Sequence, residues 1–172
     1  MNLLRRASGI LAASESDGIT ASEFAICATV LLTILAGTVD IGLLLYTDFQ
    51  LDTAVNAGAQ YAVNNAAMVS SNPGTLNTEI SNVVNNLNGA GWATSTVNVN
   101  NSNDTTGCYC PSGSPGSWNW GTTVTCGSSC AGGGIGGQFV TITGNRSVSP
   151  LFPTFGFVQN GTISRNVLVE TQ

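Results

Sequence analysis

The stretch Gly18-Ile19-Thr20-Ala21-Ser22-Glu23-Phe24, with the apolar run from Ala25 to Val39 behind it, decides how the rest of the chain is read. From Phe24 to Val39 there is neither a charge nor a proline. That is roughly 24 Å of α-helix, set against a bilayer hydrocarbon core of roughly 30 Å. Past Asp40 the apolar character resumes in Ile41-Gly42-Leu43-Leu44-Leu45-Tyr46, closing on a tyrosine, a residue enriched at membrane interfaces. The combined segment of about 23 residues is long enough to cross. With Arg5 and Arg6 ahead of it, the positive-inside rule predicts a cytoplasmic N-terminus and an external C-terminal part.

Glu23 is the unusual residue, because a carboxylate at the start of a membrane helix loses hydration as the helix enters lipid. One reading leaves it wet in the first helical turn, where it complements the helix dipole. The spacing favours another. Gly18 stands five residues before Glu23, polar residues precede it and an apolar helix follows. This layout resembles a type IV prepilin processing site, in particular that of the Tad (tight-adherence) branch, where the leader ends in Gly and a Glu-Phe or Glu-Tyr pair follows the cut.

Downstream, Val39-Asp40-Ile41-Gly42-Leu43-Leu44-Leu45-Tyr46, Gln50-Leu51-Asp52-Thr53-Ala54 and Ala57-Gly58-Ala59-Gln60-Tyr61-Ala62 are similar to the TadE-like pilus-assembly family. The family's usual Arg before the Tyr is Gln60 here, so no role for a cation at that step carries over. The resemblance implies a minor pilin or pseudopilin of a Tad pilus. It implies leader removal by a prepilin peptidase between Gly18 and Ile19, and Glu23 and Phe24 as the residues that serve assembly. The implied partners are other pilin subunits, the inner-membrane pilus platform and membrane lipid. The expected location is the inner membrane by a single pass, with an extracytoplasmic head.

A rival reading takes Phe24 to Val39 as the apolar region of a secretory signal, cut after Leu35-Ala36-Gly37. Against it, the arginines lie far upstream with Glu15 and Asp17 in between, and the apolar helix runs on past that cut. Composition suits an exported surface. Charged residues make up only 8% of the 172-residue chain, whose formal net charge is −5. An acidic chain this poor in Lys and Arg is a weak candidate for nucleic acid.

Beyond Tyr46 the pattern turns amphipathic, with Leu51, Val55, Gly58 and Ala62 on one face and Asp48, Asp52, Asn56 and Gln60 elsewhere. One helix is predicted from about Ile19 to Ala67. Gly37, Gly42 and Gly58 offer small surfaces for close helix approach. Ser70-Ser71-Asn72-Pro73-Gly74 breaks the helix, and a second one is expected over 75–88 with Leu76, Ile80, Val83, Val84 and Leu87 inward and Gly89 as its stop. Period-two alternation of Thr, Val and Ile then predicts strands near 94–100, 122–126, 138–144 and 161–170. The fold expected is α+β and pilin-like: a leader at 1–18, a transmembrane segment at 19–46 and a head at 47–172. The head would be a small antiparallel sheet packed on the C-terminal half of the long helix. Ser149 to Phe157 is read as an aromatic, proline-rich loop.

Four of the five cysteines, Cys108, Cys110, Cys126 and Cys130, lie outside the membrane segment. In an exported chain they read as two disulfides with three connectivities, and the very small ring a Cys108–Cys110 bridge would close favours links between the two pairs. A four-thiolate zinc site is the alternative, with the first pair spaced tightly for tetrahedral ligation. Cys27, in the apolar run, reads as a small hydrophobe.

Catalysis has little to work with. The chain contains no histidine and no lysine, which removes the commonest general base, the Ser-His pair and the Schiff-base and P-loop lysines. Gly132 to Gly137 formally contains G-x-G-x-x-G, but it leads toward a strand instead of a helix. The expectation is a structural protein without catalytic residues, metal or cofactor. The alternative is a membrane-tethered binding module presenting Trp92, Trp118 and Trp120 on glycine-rich loops. These tryptophans could equally pack against the disulfide region.

Overall fold

The computed structural model describes residues 15–152, 158 and 160–172, with the backbone alone for 15–20. The leader arginines Arg5 and Arg6, and the aromatic loop from Pro153 to Phe157, lie outside the described residues. The elements are α1 (Glu15–Asn64), α2 (Ala67–Ser71), α3 (Pro73–Asn86), β1 (Thr94–Val99), β2 (Ser112–Ser114), β3 (Ser117–Asn119), β4 (Phe139–Ser147) and β5 (Thr162–Glu170). They fall into two compact units, one ending at Gly42 and one spanning Leu43–Gln172.

The first unit contains the N-terminal part of α1. The helix is already formed at Glu15, four residues before the expected start at Ile19.

The second unit is the head. Its sheet has the order β1-β4-β5, antiparallel throughout. Val97, Ile142 and Val167 stand in one row across it, and Val99, Val140 and Val169 in the next. The alternation puts this apolar set on one face, where it packs with Ala54, Val55, Ala59 and Ala62 of α1, Val69 of α2, and Leu76, Ile80 and Val84 of α3. A smaller cluster joins Leu51, Ala93 and Ile163, flanked by Trp92 and Leu44. Two glycines permit close approach. A Cβ on Gly58 would stand 2.8 Å from Val84, and one on Gly144 would stand 2.6 Å from Val55.

Several boundaries differ from those expected. The long helix ends at Asn64 because Asn65 turns its side-chain amide back onto the Tyr61 carbonyl, at 2.9 Å. Pro73 occupies the first turn of α3, where its missing N–H costs nothing. The inward stripe of α3 is Leu76, Ile80 and Val84, while Val83 is half-buried and Leu87 exposed. Asn86 takes the Gly91 N–H at 2.9 Å just past the helix end.

No strand forms over 122–126. Val124 makes one isolated bridge with Cys108, while positive φ at Gly121 and Gly127 bends the chain on either side of a segment tied through Cys126. In its place β2 and β3 form a two-stranded hairpin around Ser114-Pro115-Gly116-Ser117. Pro115 followed by Gly116 at φ +88° suits a type II turn.

After β1 the chain makes a left-handed turn. Asn100, Asn101, Ser102 and Asn103 have φ of 41°, 49°, 68° and 67°. Such a conformation costs roughly 1–2 kcal/mol per non-glycine residue, less for Asn. It is held by side chains. The buried Asn100 donates to the carbonyls of Asp104 and Gly107 at 2.7 Å each, and Asn98 accepts the Ser102 N–H at 2.6 Å.

Candidate functional site

Two regions carry chemistry beyond packing: the exposed part of α1 and the disulfide lobe of the head. Along α1, Ile26, Val30, Leu31, Leu32, Ile34, Leu35, Val39 and Ile41 are all exposed, and Phe24 is 74% accessible. At 100° per residue those positions spread over about two thirds of the helix circumference, leaving one face to Thr29, Thr33, Ala36 and Asp40. The stretch Ala21–Asn64 contains the one segment among the described residues long and apolar enough to cross a membrane.

The threonines in it are compatible with lipid. Thr29 donates its hydroxyl to the Ile26 carbonyl at 2.8 Å, Thr33 to Thr29 at 2.8 Å, Thr38 to Ile34 at 2.9 Å and Thr47 to Leu43 at 2.8 Å. Each hydroxyl is thus satisfied within the helix, which removes the cost of carrying it into hydrocarbon. Hydropathy alone counts these residues as polar, so the sequence pattern misses their contribution. Gly18 and Ile19 lie on the helical backbone, and Glu23 and Phe24 are exposed on it one turn later. Gly37 and Gly42 have open space where a Cβ would stand, so helix approach at those positions would come from another chain.

In the head, the four cysteines pair as Cys108–Cys126, with Cα atoms 5.2 Å apart, and Cys110–Cys130, at 5.7 Å. This rules out the four-thiolate zinc arrangement. Asp104 anchors the start of the lobe. One carboxylate oxygen accepts the Thr106 and Gly107 backbone N–H groups at 2.9 and 3.0 Å, and the other accepts the Tyr109 hydroxyl at 2.7 Å. These bonds, the Tyr109 hydroxyl foremost, hold the Asp104 pKa down at about 2, and the same contact raises that of Tyr109.

The tryptophans are packed instead of presented. Trp120 meets Tyr109 edge to face with ring centroids 5.8 Å apart. Trp92 lies under the Arg146 guanidinium, 5.2 Å from its carbon, and Arg146 also donates to the Trp92 carbonyl. Trp118 sits half-buried in β3. Arg165 of β5 is paired with Asp48 of α1, the Asp48 hydrogen bond raising its pKa. Both cations of the head are therefore engaged.

Between the Cys110–Cys130 bridge and the far face of the sheet lies a cavity of about 500 Å³. Pro111, Ile135, Phe139 and Leu168 give it apolar walls, the Gly132-Gly133-Gly134 backbone forms one side and Glu170 stands on its lining. The formal G-x-G-x-x-G is thus a cavity wall, without a following helix to supply a phosphate site. Among the described residues no three His, Cys, Asp or Glu side chains gather as a metal site.

A long apolar helix, a small antiparallel sheet and two disulfides define an α+β, pilin-like protein. Residues 18–60 match the family model described as TadE-like protein. No curated protein and no solved structure shows a significant match.

Proposed function

We propose that this chain is a minor pilin or pseudopilin of a Tad pilus assembly or secretion system, made as a precursor and cut by a prepilin peptidase between Gly18 and Ile19. The reading rests on one observation. The TadE-like match begins at Gly18 and runs through a helix whose large apolar side chains from Phe24 to Val39 are exposed over most of its circumference. Such a surface needs lipid or neighbouring helices around it. Its role is structural. The N-terminus stays cytoplasmic, the helix is held in the inner membrane and the head is extracytoplasmic. The partners are the peptidase, other pilin subunits, the platform and lipid, with no nucleic acid and no cofactor.

Glu23 has a physical task in this scheme. Cleavage frees the Ile19 amine, a group with an ordinary pKa of about 7.7–8.0. Inside lipid, the Glu23 carboxylate of one subunit and the Ile19 amine of its neighbour relieve each other's unpaired charge. Replacing Glu23 by Ala should then spoil incorporation while leaving the head folded.

The test is N-terminal sequencing of the mature protein, produced with a cognate prepilin peptidase, beside its Gly18→Val form. A start at Ile19 that disappears in the variant supports the proposal. A start near Thr38 would show signal-peptidase cleavage and a released head, and an uncut chain would show a simple membrane tether. Either of these results overturns it.

A further inference from the structure

The cavity beneath the Cys110–Cys130 bridge has a composition that the pilin reading does not use. Its walls are aliphatic and aromatic, from Pro111, Ile135, Phe139 and Leu168, and its one charged lining residue is Glu170. Ile135 is 57% accessible, so this wall is open to solvent. Glu170 lies at the end of β5, and its Oε1 would stand 2.8 Å from a Cβ on Gly137, so the carboxylate lies over a bare stretch of backbone.

Three other acids of the head differ in this respect. Asp104 is saturated by Thr106, Gly107 and Tyr109, Asp48 is paired with Arg165, and Asp52 accepts from Asn56 at 3.1 Å. Glu170 receives no side-chain hydrogen bond among the described residues.

We infer that this cavity is a binding slot for a basic side chain, arginine or lysine, projecting from an extended segment of a partner protein. The match is chemical. Such side chains carry a long apolar stem that packs on hydrophobic walls and a cationic head that seeks a carboxylate. The apolar walls take the stem, and Glu170 takes the head.

Nothing in the head competes, because it contains no lysine, Arg146 is held by Trp92 and Arg165 by Asp48. For the same reason the ligand comes from a different protein and not from the head of a second copy. The slot is independent of cleavage at Gly18.

The experiment is amide NMR of the full chain in detergent micelles, titrated to about 10 mM with the capped tripeptide Ac-Leu-Arg-Leu-NH2, its Lys form and its Gln form. The inference expects saturable shifts at Gly132, Gly133, Gly134, Leu168 and Glu170 with Arg or Lys and none with Gln. Glu170→Gln should weaken the response by about tenfold, and Ile135→Ser should weaken it too. Amides of α3 should be unshifted in both variants, which shows that they fold. Equal shifts from the Gln peptide would mean an apolar pocket without charge recognition. Absence of shifts at those five amides would mean no slot. Either result overturns the inference.

Discussion

Gly58 offers a prediction in which two effects of known size oppose each other. In an exposed helix, changing Gly to Ala stabilises by roughly 1 kcal/mol, because the glycine backbone has more freedom to lose. At Gly58 the added Cβ would stand 2.8 Å from Val84 Cγ2, 3.3 Å from Ile80 Cγ2 and 3.5 Å from Ile142 Cδ1. Carbon atoms prefer about 3.5–4.0 Å, so α3 would have to yield by about 0.7 Å. Val84 and Ile80 are fully buried, and β-branched side chains on a helix have almost no second rotamer to escape into. Overpacking of this kind costs roughly 1–3 kcal/mol. The clash should therefore win, with Gly58→Ala destabilising the head by about 1 kcal/mol, or a fall in Tm of roughly 3–5 °C. All three tryptophans lie in the head, so urea unfolding followed by tryptophan fluorescence reads that unit in fixed detergent. Gly74→Ala on α3, which meets nothing within 4 Å, should not destabilise and serves as the open-space control. In a Val84→Ala background the sign of Gly58→Ala should reverse, a coupling of at least about 1 kcal/mol. Stabilisation by Gly58→Ala in the native background, equal to that of the control, would refute this account of the α1–α3 contact.

Three further outcomes follow from the head. The folded-state pKa of Asp104, about 2 against an ordinary 3.8, means that its contribution to stability is full above about pH 4 and is lost as pH falls toward 2. Tm measured between pH 5 and 2 should fall less steeply in Asp104→Asn than in the parent, and identical slopes would contradict the hydrogen-bond cluster. Replacing Cys108 and Cys126 together by Ser should cost about 2–4 kcal/mol in urea unfolding, while the β1-β4-β5 amides stay protected from exchange, because the main core contains neither cysteine. A fragment spanning 43–172 should fold with the parent's disulfides and sheet. One starting at 67 should fail, since it lacks Leu51, Ala54, Val55, Ala59 and Ala62; equal protection of the two fragments in hydrogen exchange would refute the assignment of α1 to the core.

The sequence made the large features readable and hid the local ones, for identifiable reasons. Leu51, Val55, Gly58 and Ala62 recur at three- and four-residue spacing and are all buried, because one helix face meets one sheet face. Strands β1 and β4 could be read from alternation, since Val97 and Val99, and Val140, Ile142 and Gly144, are buried at every second position, whereas β5 buries Ile163 and leaves residues 166–169 half-buried. Thr122-Thr123-Val124-Thr125 carries the same alternation and forms no strand, because glycines on both sides and the Cys126 link decide the path there. The β2–β3 hairpin has strands of three residues each, too short to show a period, although Pro115-Gly116 signals its turn. The left-handed turn at Asn100–Asn103 has no hydrophobic pattern. Its only trace is the density of asparagine, the non-glycine residue that best tolerates positive φ. The cavity was equally hidden, since it joins Gly132 to Ile135 with Phe139, Leu168 and Glu170 only through tertiary structure.

The change of pattern within α1 links the fold to the proposed role. From Phe24 to Val39 the large apolar residues are spread around most of the helix and remain exposed, whereas from Leu51 to Ala62 the buried ones keep to one face. A helix that only tethered a soluble head would need apolar length alone, and many sequences would supply it. This one also carries an acid at Glu23, and open small positions at Gly37 and Gly42 that the head's core does not use. Substitutions at those residues touch none of the head's buried contacts, so under the proposed role their effects should appear in membrane insertion and incorporation and not in the head's stability. Substitutions between Leu51 and Ala62 alter the head itself, because those side chains are part of its core. Two kinds of defect, loss of incorporation with a folded head and loss of the head, should therefore separate along one continuous helix, with the change falling close to residue 50.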